Sequence, residues 1–387
     1  MKRALLAGAA LLAAALLPGA SQAQDTFKVG MIISLSGPFA DTGTQMLNGA
    51  KLYIKQHGDT VAGKKIEIIA KDVGGINPPV AKRLAQELVT RDKVDVLAGF
   101  DLTPNALAAA DVSVEAKKFM VDMNAATAIV ITKSPYMVRT SMTIPQLNQT
   151  LGTWPEATAG IKKAYTMVTD FGPGIDAEGA FTKGFKGAGG DVVGSVRMAV
   201  ANPDFSAYVQ RAKDLNPEAI YVMIPGGAQP GAFGKALAER GIDPKKTKIM
   251  GQMEITDEHA LASMGDVAIG MITTAHYDYN LKTKANEAFV KAYNAEYKRN
   301  PDFFSVGGYD GMHVIYATLA KTKGKADGDT LIAAAKGLKW ESPRGPMSID
   351  PETRDVVQNV YIRKVEKVGG KLVNVPIAPN KNVKSPK

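Results

Sequence analysis

The residues whose types and spacing can do chemistry in this chain point to anion binding rather than catalysis. Leu102-Thr103-Pro104-Asn105 lies between an apolar run at 94–98 and a helical pattern at 104–116. Pro104 suits the first helical position, with Thr103 as the cap before it. The first-turn N–H groups of such a helix have no intrahelical partner, so they form a ready anion site. Ser36-Gly37-Pro38 similarly turns the chain out of the β-rich run 27–35, and Met46, Leu47, Ala50 and Tyr53 follow at helical spacing. In open α/β sheets small molecules bind beyond the carboxyl ends of strands, so the loop 36–44 is predicted to border a ligand. Gly172-Pro173-Gly174 does not complete a Gly-x-Gly-x-x-Gly dinucleotide pattern, because Gly179 comes too late. It reads as a loop feeding a helix at 176–187, with Asp176 as N-terminal cap or charge. There is no cysteine, which removes thiol catalysis and zinc–thiolate sites. His57, His259, His276 and His313 follow no metal-ligand spacing, so neither a metal nor another cofactor is expected. No Gly-x-Ser-x-Gly elbow suggests a hydrolase.

The elements that must position these residues alternate along most of the 387 residues. Met1–Ala23 carries Lys2 and Arg3, then an apolar run from Ala4 to Leu17, a Pro18-Gly19 break and Ser21-Gln22-Ala23. This is the pattern of a cleaved secretory signal, and the run is too short for the ~20 residues of a membrane span. The rest is expected to be exported, to the periplasm. The formal charge of +9 is dispersed; basic residues do not cluster with aromatics as a nucleic-acid groove requires, so no nucleic-acid partner is expected. Strand patterns fall at 65–69, 94–98, 118–121, 164–169, 191–196, 219–224, 248–251 and 269–274, and helical patterns between them at 79–90, 104–116, 176–187, 204–215, 229–240 and 257–264. Such alternation means βαβ units with parallel sheet. One sheet does not easily hold so many strands. The extended polar segment 139–146 divides two βα series; after about 275 helices dominate, at 285–297, 304–321 and 330–336, before strand patterns return at 347–349 and 356–365. The fold class is therefore α/β, with two doubly wound parallel-sheet lobes. Residues 26–143 plus 277–345 are assigned to the first, 146–275 plus 346–378 to the second, and 379–387 to a flexible basic tail. A ligand is expected in the cleft between lobes.

These residues resemble a family. The opening KVGMIISLSGPFADTGTQMLNGAKLY, the turn AGFDLTPNALA, the segment MNAAT, the loop TDFGPGIDAEGAF, the block DFSAYVQRAKDLNPEAIYV and the late GGYDGMHVIYA are similar, in order and spacing, to the solute-binding proteins of ABC transporters of the branched-chain amino acid type. The resemblance implies the type I periplasmic-binding fold, with three chain crossings that act as a hinge. It implies closure on one small solute, delivery of that solute to a membrane permease, no catalysis and a monomer.

It also assigns site residues. The hydroxyl of Thr103 corresponds to one that binds the ligand carboxylate, and Met123-Asn124-Ala125-Ala126-Thr127 to a segment that binds it through backbone and a hydroxyl matching Thr127. Small Ala125 and Ala126 let backbone approach a ligand, and Asn124 can add a donor. Phe39, Asp41 and Thr42 can reach the cleft, and Thr42 stands where amino acid binders often carry an aromatic. The second lobe departs from those binders: Pro173 replaces a tyrosine, and Gly226 lies in a loop with no side chain to offer. Their acidic partner for the ligand ammonium aligns near Met253-Glu254; Glu254 supplies it with a one-residue shift, whereas Met253 leaves an apolar surface. A buried ammonium without acceptors costs several kcal/mol. The weight therefore falls on an aromatic monocarboxylate of the hydroxybenzoate or hydroxycinnamate kind. Phe39, Phe171, Pro173 and Met253 would line a slot for the ring, and His276, Tyr277 and Tyr309 would meet a ring hydroxyl. Asp176 can touch the ligand or the facing lobe. The alternatives are a branched-chain amino acid, or a ligand-sensing module of the same fold.

Overall fold

The structure is a computed structural model that describes residues 25–154, 160–244 and 246–386. The candidate signal segment lies outside them. Among the described residues, one sheet holds β1 (Thr26–Ile33), β2 (Thr60–Val61), β3 (Lys64–Asp72), β4 (Val96–Gly99), β5 (Phe119–Asp122) and β6 (Met137–Arg139), in the order β2-β3-β1-β4-β5-β6. All its pairings are parallel except β2 with β3. Helices α1 (Ala40–His57), α2 (Pro78–Thr90) and α3 (Thr103–Glu115) connect these strands. Alternate residues of one strand serve different faces: Val29, Met31 and Ile33 join one apolar cluster, and Ile32 another with Leu97 and Met120. Both faces are thus buried, as parallel sheets require.

The second sheet repeats the scheme with β7 (Lys163–Thr169), α5 (Gly172–Gly187), β8 (Asp191–Met198), α6 (Phe205–Asp214), β9 (Ala219–Met223), α7 (Gln229–Glu239), β10 (Lys248–Gln252), α8 (Glu258–Met264) and β11 (Ile272–Ala275). Helix α4 (Ile144–Thr153) precedes it and packs on α5. Antiparallel β14 (Val356–Val368) joins β11, and β12 (Lys339–Ser342), β13 (Gly345–Ile349) and β15 (Lys371–Val383) extend that edge. The chain leaves the first sheet after β6. It returns after β11 through α9 (Lys284–Tyr297), where α10 (Phe303–Lys321) packs on α1 and α11 (Gly328–Ala335) on β5. A third passage, after α11, reaches β14. This is a mixed α/β fold of two lobes joined by three crossings.

Three expectations are corrected. The segment 139–146 is not extended throughout, because α4 begins at Ile144. Thr143 and Gln146 form a reciprocal capping box, and Pro145 sits in the first turn, where its missing N–H costs nothing. The assigned lobe boundary at 345/346 falls inside the β12–β13 hairpin, whose register pairs Ser342 with Gly345. Within the expected tail at 379–387, residues 379–383 are the end of β15 instead, and Lys387 lies outside the described residues. Pro379 pairs with Tyr361 and Val383 with Gln358, Gln146 donates to the Val383 carbonyl at 2.6 Å, and Lys384 pairs with Asp350 at 3.0 Å. Pro376 and Pro379 are compatible with a strand there because β15 is an edge strand.

Buried arginines staple the crossings. Arg344, on the third, donates to the Ser141 carbonyl of the first at 2.8 Å, and also to Thr140, while its Nε binds Asp310 of α10 at 2.8 Å. Arg363 on β14 reaches Asp278 of the second crossing at 3.1 Å. Arg139 lies beside Asp122 at 3.6 Å and Asp355 at 3.3 Å.

Candidate functional site

The carboxyl ends of β1, β4 and β5 in the first lobe face those of β7, β9 and β10 in the second across a cavity of about 490 Å³, open solvent at its mouth included. That volume lies within the range of small-molecule sites. Larger hollows lie elsewhere, one between the β14–β15 hairpin and residues 280–282 and one beside β12–β13, neither of them between the carboxyl ends of the two sheets.

On the first lobe, Phe100 has a φ of +67°, uncommon for a residue with a side chain, and the chain turns there from β4 towards α3. Thr103 is the first residue of α3 rather than its cap: Leu102 holds the cap position, and Pro104 follows within the first turn. Its hydroxyl lies 2.9 Å from that of Thr127, and both residues are buried. The intervening segment is held from behind. Asp122 accepts from the Asn124 and Ala125 N–H groups at 3.1 and 2.7 Å. Arg139 donates to the Ala126 and Thr127 carbonyls at 2.9 and 3.0 Å. Asn124 Nδ2 donates to the Asp101 carbonyl at 2.8 Å, and its Oδ1 is buried without a partner. Asp101 accepts from the Thr42 hydroxyl at 2.9 Å and the Ser34 N–H at 3.3 Å, while its Oδ1 has no partner. Burial raises the Asp101 pKa against those hydrogen bonds.

Phe39, Thr42, Asn124, Ala125, Pro173, Gly226 and Glu254 all line the cavity with Thr103, as do Phe171 and Ala126. Thr127 stands just behind the wall, bonded to Thr103. Asp176 is not a wall residue; its carboxylate accepts from the Ala128 N–H at 2.7 Å, which ties α5 of the second lobe to the first. Gly227, with φ +86°, also approaches the first lobe, since a Cβ placed there would come within 2.9 Å of the Pro38 carbonyl. The lobes are therefore closed on each other.

Other expected residues lie elsewhere. Asp41 turns outward to a bidentate pair with Arg299 at 2.6 and 3.1 Å. Met253 and Tyr277 are buried and border a second gap, with Asp278, Asp302 and Arg363. His276 is buried beside Phe303, and burial together with Arg344 and Arg363 drives its pKa well below the usual histidine range. Tyr309 packs on Tyr53 and Phe289 and donates to Gln56 at 2.7 Å. In place of these, Asp101, Met142, Ile144, Met223, Pro225 and Phe304 complete the wall. Asp101 follows a strand end directly, a signal visible in sequence; Phe304 is brought in from α10, and no local pattern marks it.

Glu254 is 8 % exposed. Gln252 Nε2 donates to its Oε1 at 2.9 Å, and its Oε2 has no partner. Burial pushes its pKa up to about 7, with Asp257 adding to the rise and Gln252 opposing it. Among the described residues no group of three or more His, Cys, Asp or Glu is placed to hold a metal ion. Among the described residues no helix is long and apolar enough to cross a membrane. The arrangement can bind an anion at the Thr103–Thr127 pair and an apolar body between Phe39, Phe171, Pro173 and Phe304.

Residues 26–371 match the family described as periplasmic binding protein. The chain belongs to that family. It is 40 % identical over 354 residues to the Leu/Ile/Val-binding protein homolog 6 of Brucella abortus (strain 2308), covering 89 % of this chain and 88 % of the relative. Among solved structures it resembles a solute-binding protein of an ABC transporter from Rhodopseudomonas palustris BisB5 in complex with 3,4-dihydroxybenzoic acid. The identity is 51 %, the TM-score 0.90, and the match covers 94 % of this chain and 99 % of that one. A solute-binding protein of an ABC transporter from Rhodopseudomonas palustris HaA2 in complex with p-hydroxybenzoic acid is 41 % identical with a TM-score of 0.90, over 93 % of this chain and 98 % of that one.

Proposed function

We propose that this protein is the exported, periplasmic solute-binding component of an ABC importer, and that its cleft holds a small aromatic monocarboxylate for delivery to a membrane permease. One observation carries the reading: a single interlobe cavity combines a buried hydroxyl pair at a helix N-terminus with walls of Phe39, Phe171, Phe304 and Pro173. The pair Thr103–Thr127, with the first N–H groups of α3, receives the carboxylate. The rings receive a flat apolar body by edge and face contact. The Rhodopseudomonas structures at 51 % and 41 % identity hold hydroxylated benzoic acids, which supports this solute class.

A branched-chain amino acid is the second reading. Glu254 on the wall favours it, as does the name of the Brucella relative. An ammonium needs Glu254 charged, and burial opposes that charge.

Thermal-shift measurement of the purified protein against benzoate, hydroxybenzoates, hydroxycinnamates, leucine, isoleucine and valine tests the choice. The expected result is a large rise in melting temperature with one or more aromatic acids. A large rise with leucine and none with any aromatic acid would reverse the assignment.

A further inference from the structure

Behind the second-lobe wall runs a directed chain of buried hydrogen bonds. The Tyr221 hydroxyl donates to Asn148 Oδ1 at 2.5 Å, Asn148 Nδ2 donates to Gln252 Oε1 at 2.6 Å, and Gln252 Nε2 donates to Glu254 Oε1 at 2.9 Å. The direction of the chain is set at Asn148, whose Nδ2 also donates to the Ile144 carbonyl at 2.8 Å. With that amide nitrogen committed, Asn148 Oδ1 faces Tyr221, Gln252 presents its oxygen to Asn148 and its nitrogen to Glu254. Tyr221, Asn148 and Gln252 are fully buried and none of them lines the cavity. The chain ends at Glu254 Oε2, a buried atom with no partner on a residue that does line it.

We propose that this chain reads a ring hydroxyl: Glu254 Oε2 is the hydrogen-bond partner of a phenolic hydroxyl on the bound acid, and Tyr221, Asn148 and Gln252 are positioning residues that hold Glu254 for it. The inference rests on the aromatic-acid reading above and narrows it to ring-hydroxylated monocarboxylates. A phenol satisfies the unpartnered oxygen, whereas an unhydroxylated ring seals it from water and leaves it unpaired. Sites built around a substrate hydroxyl reject analogues that lack it more strongly than apolar pockets reject small changes of size. The stacking of Phe181 on Tyr221, at 4.1 Å and 12°, holds the far end of the chain rigid.

Calorimetric titration with benzoate, 3-hydroxybenzoate and 4-hydroxybenzoate tests this in the wild-type protein and in Glu254→Met and Tyr221→Phe, with thermal unfolding to confirm that each variant is folded. The readout is the ratio of benzoate Kd to the better hydroxybenzoate Kd, which general loosening of the site does not move. The wild-type ratio is expected to be tenfold or more. Glu254→Met should bring it near one, and Tyr221→Phe, which leaves the wall intact, should reduce it at least threefold. A wild-type ratio near one, or a ratio unchanged in both variants, overturns the inference while the aromatic-acid reading stands. If none of the three acids binds the wild type, that reading fails and the inference falls with it.

Discussion

The Thr103 and Thr127 oxygens lie 2.9 Å apart, so one hydroxyl hydrogen sits between them and the second remains for a ligand oxygen. Removing either hydroxyl breaks the pair and takes away a hydrogen bond to a charged group. Thr103→Ala and Thr127→Ala are each expected to weaken binding of the carboxylate solute by ~1.5 to 3 kcal/mol in calorimetric titration. Unchanged affinity in both would place the carboxylate elsewhere. Glu254 makes a second residue-scale prediction. The fold raises its pKa from 4.5 to about 7, so the fold prefers its protonated form. Its contribution to stability is complete below 4.5 and is lost as pH rises towards 7. Glu254→Gln cannot ionise, so the melting temperature of the empty variant should gain on that of wild type across this interval. A pH-independent difference would contradict the assignment. Glu258, also raised to about 7 by burial, keeps part of the slope in the variant.

Two elements show the same joint. In α1 and in α5 a first-turn glycine rests on the backbone of the preceding strand: a Cβ at Gly43 would fall on the Ser34 carbonyl, and one at Gly174 on the Thr169 carbonyl. These contacts lay each helix across its strand end and bring Phe39 and Pro173 to the cavity. Gly43→Ala and Gly174→Ala are each expected to cost about 1–3 kcal/mol or more, seen as a lowered midpoint in denaturant titration. A variant as stable as wild type would show that the helix can lift off at no cost. Most of this level was legible in the sequence, because apolar runs, Gly-Pro turns and helical spacing are local signals. Thr103 before Pro104 was readable as a helix start to within one residue and Gly226 as a strand-end loop, whereas Pro173, read as a loop before a helix at 176–187, lies in the first turn of α5, because Pro is tolerated there. Helix α4 was not, since Pro145 reads as a breaker until its first-turn place is known. Strand β15 was hidden by Pro376 and Pro379, which exclude a central strand but not an edge. Tyr277 and Tyr309 were misplaced because residue type alone does not say which face a helix or crossing presents. The chain from Tyr221 to Glu254 joins three elements, and no spacing in the sequence announces it.

For the whole molecule, the proposed function makes binding and closure one process. Arg344 ties the third crossing to the first, and Arg363 ties the second crossing to β14 of the second lobe. Across the mouth, Asp176 accepts from Ala128 at 2.7 Å, a charge-assisted bond that exists only when the lobes are together. Asp176→Ala is expected to weaken solute affinity by about 1–3 kcal/mol, since closure and binding are one equilibrium. Small-angle X-ray scattering should show solute-induced compaction at lower solute concentration in the wild type than in the variant; identical curves would remove Asp176 from the closing contact. The account as a whole turns on which solute closes the lobes. Calorimetric titration of solute-free protein with 4-hydroxybenzoate and with leucine, side by side, measures that most directly. The account predicts micromolar or tighter binding of 4-hydroxybenzoate, about −8 kcal/mol or stronger, and leucine at least a hundredfold weaker. Micromolar binding of leucine with no heat from 4-hydroxybenzoate would contradict it.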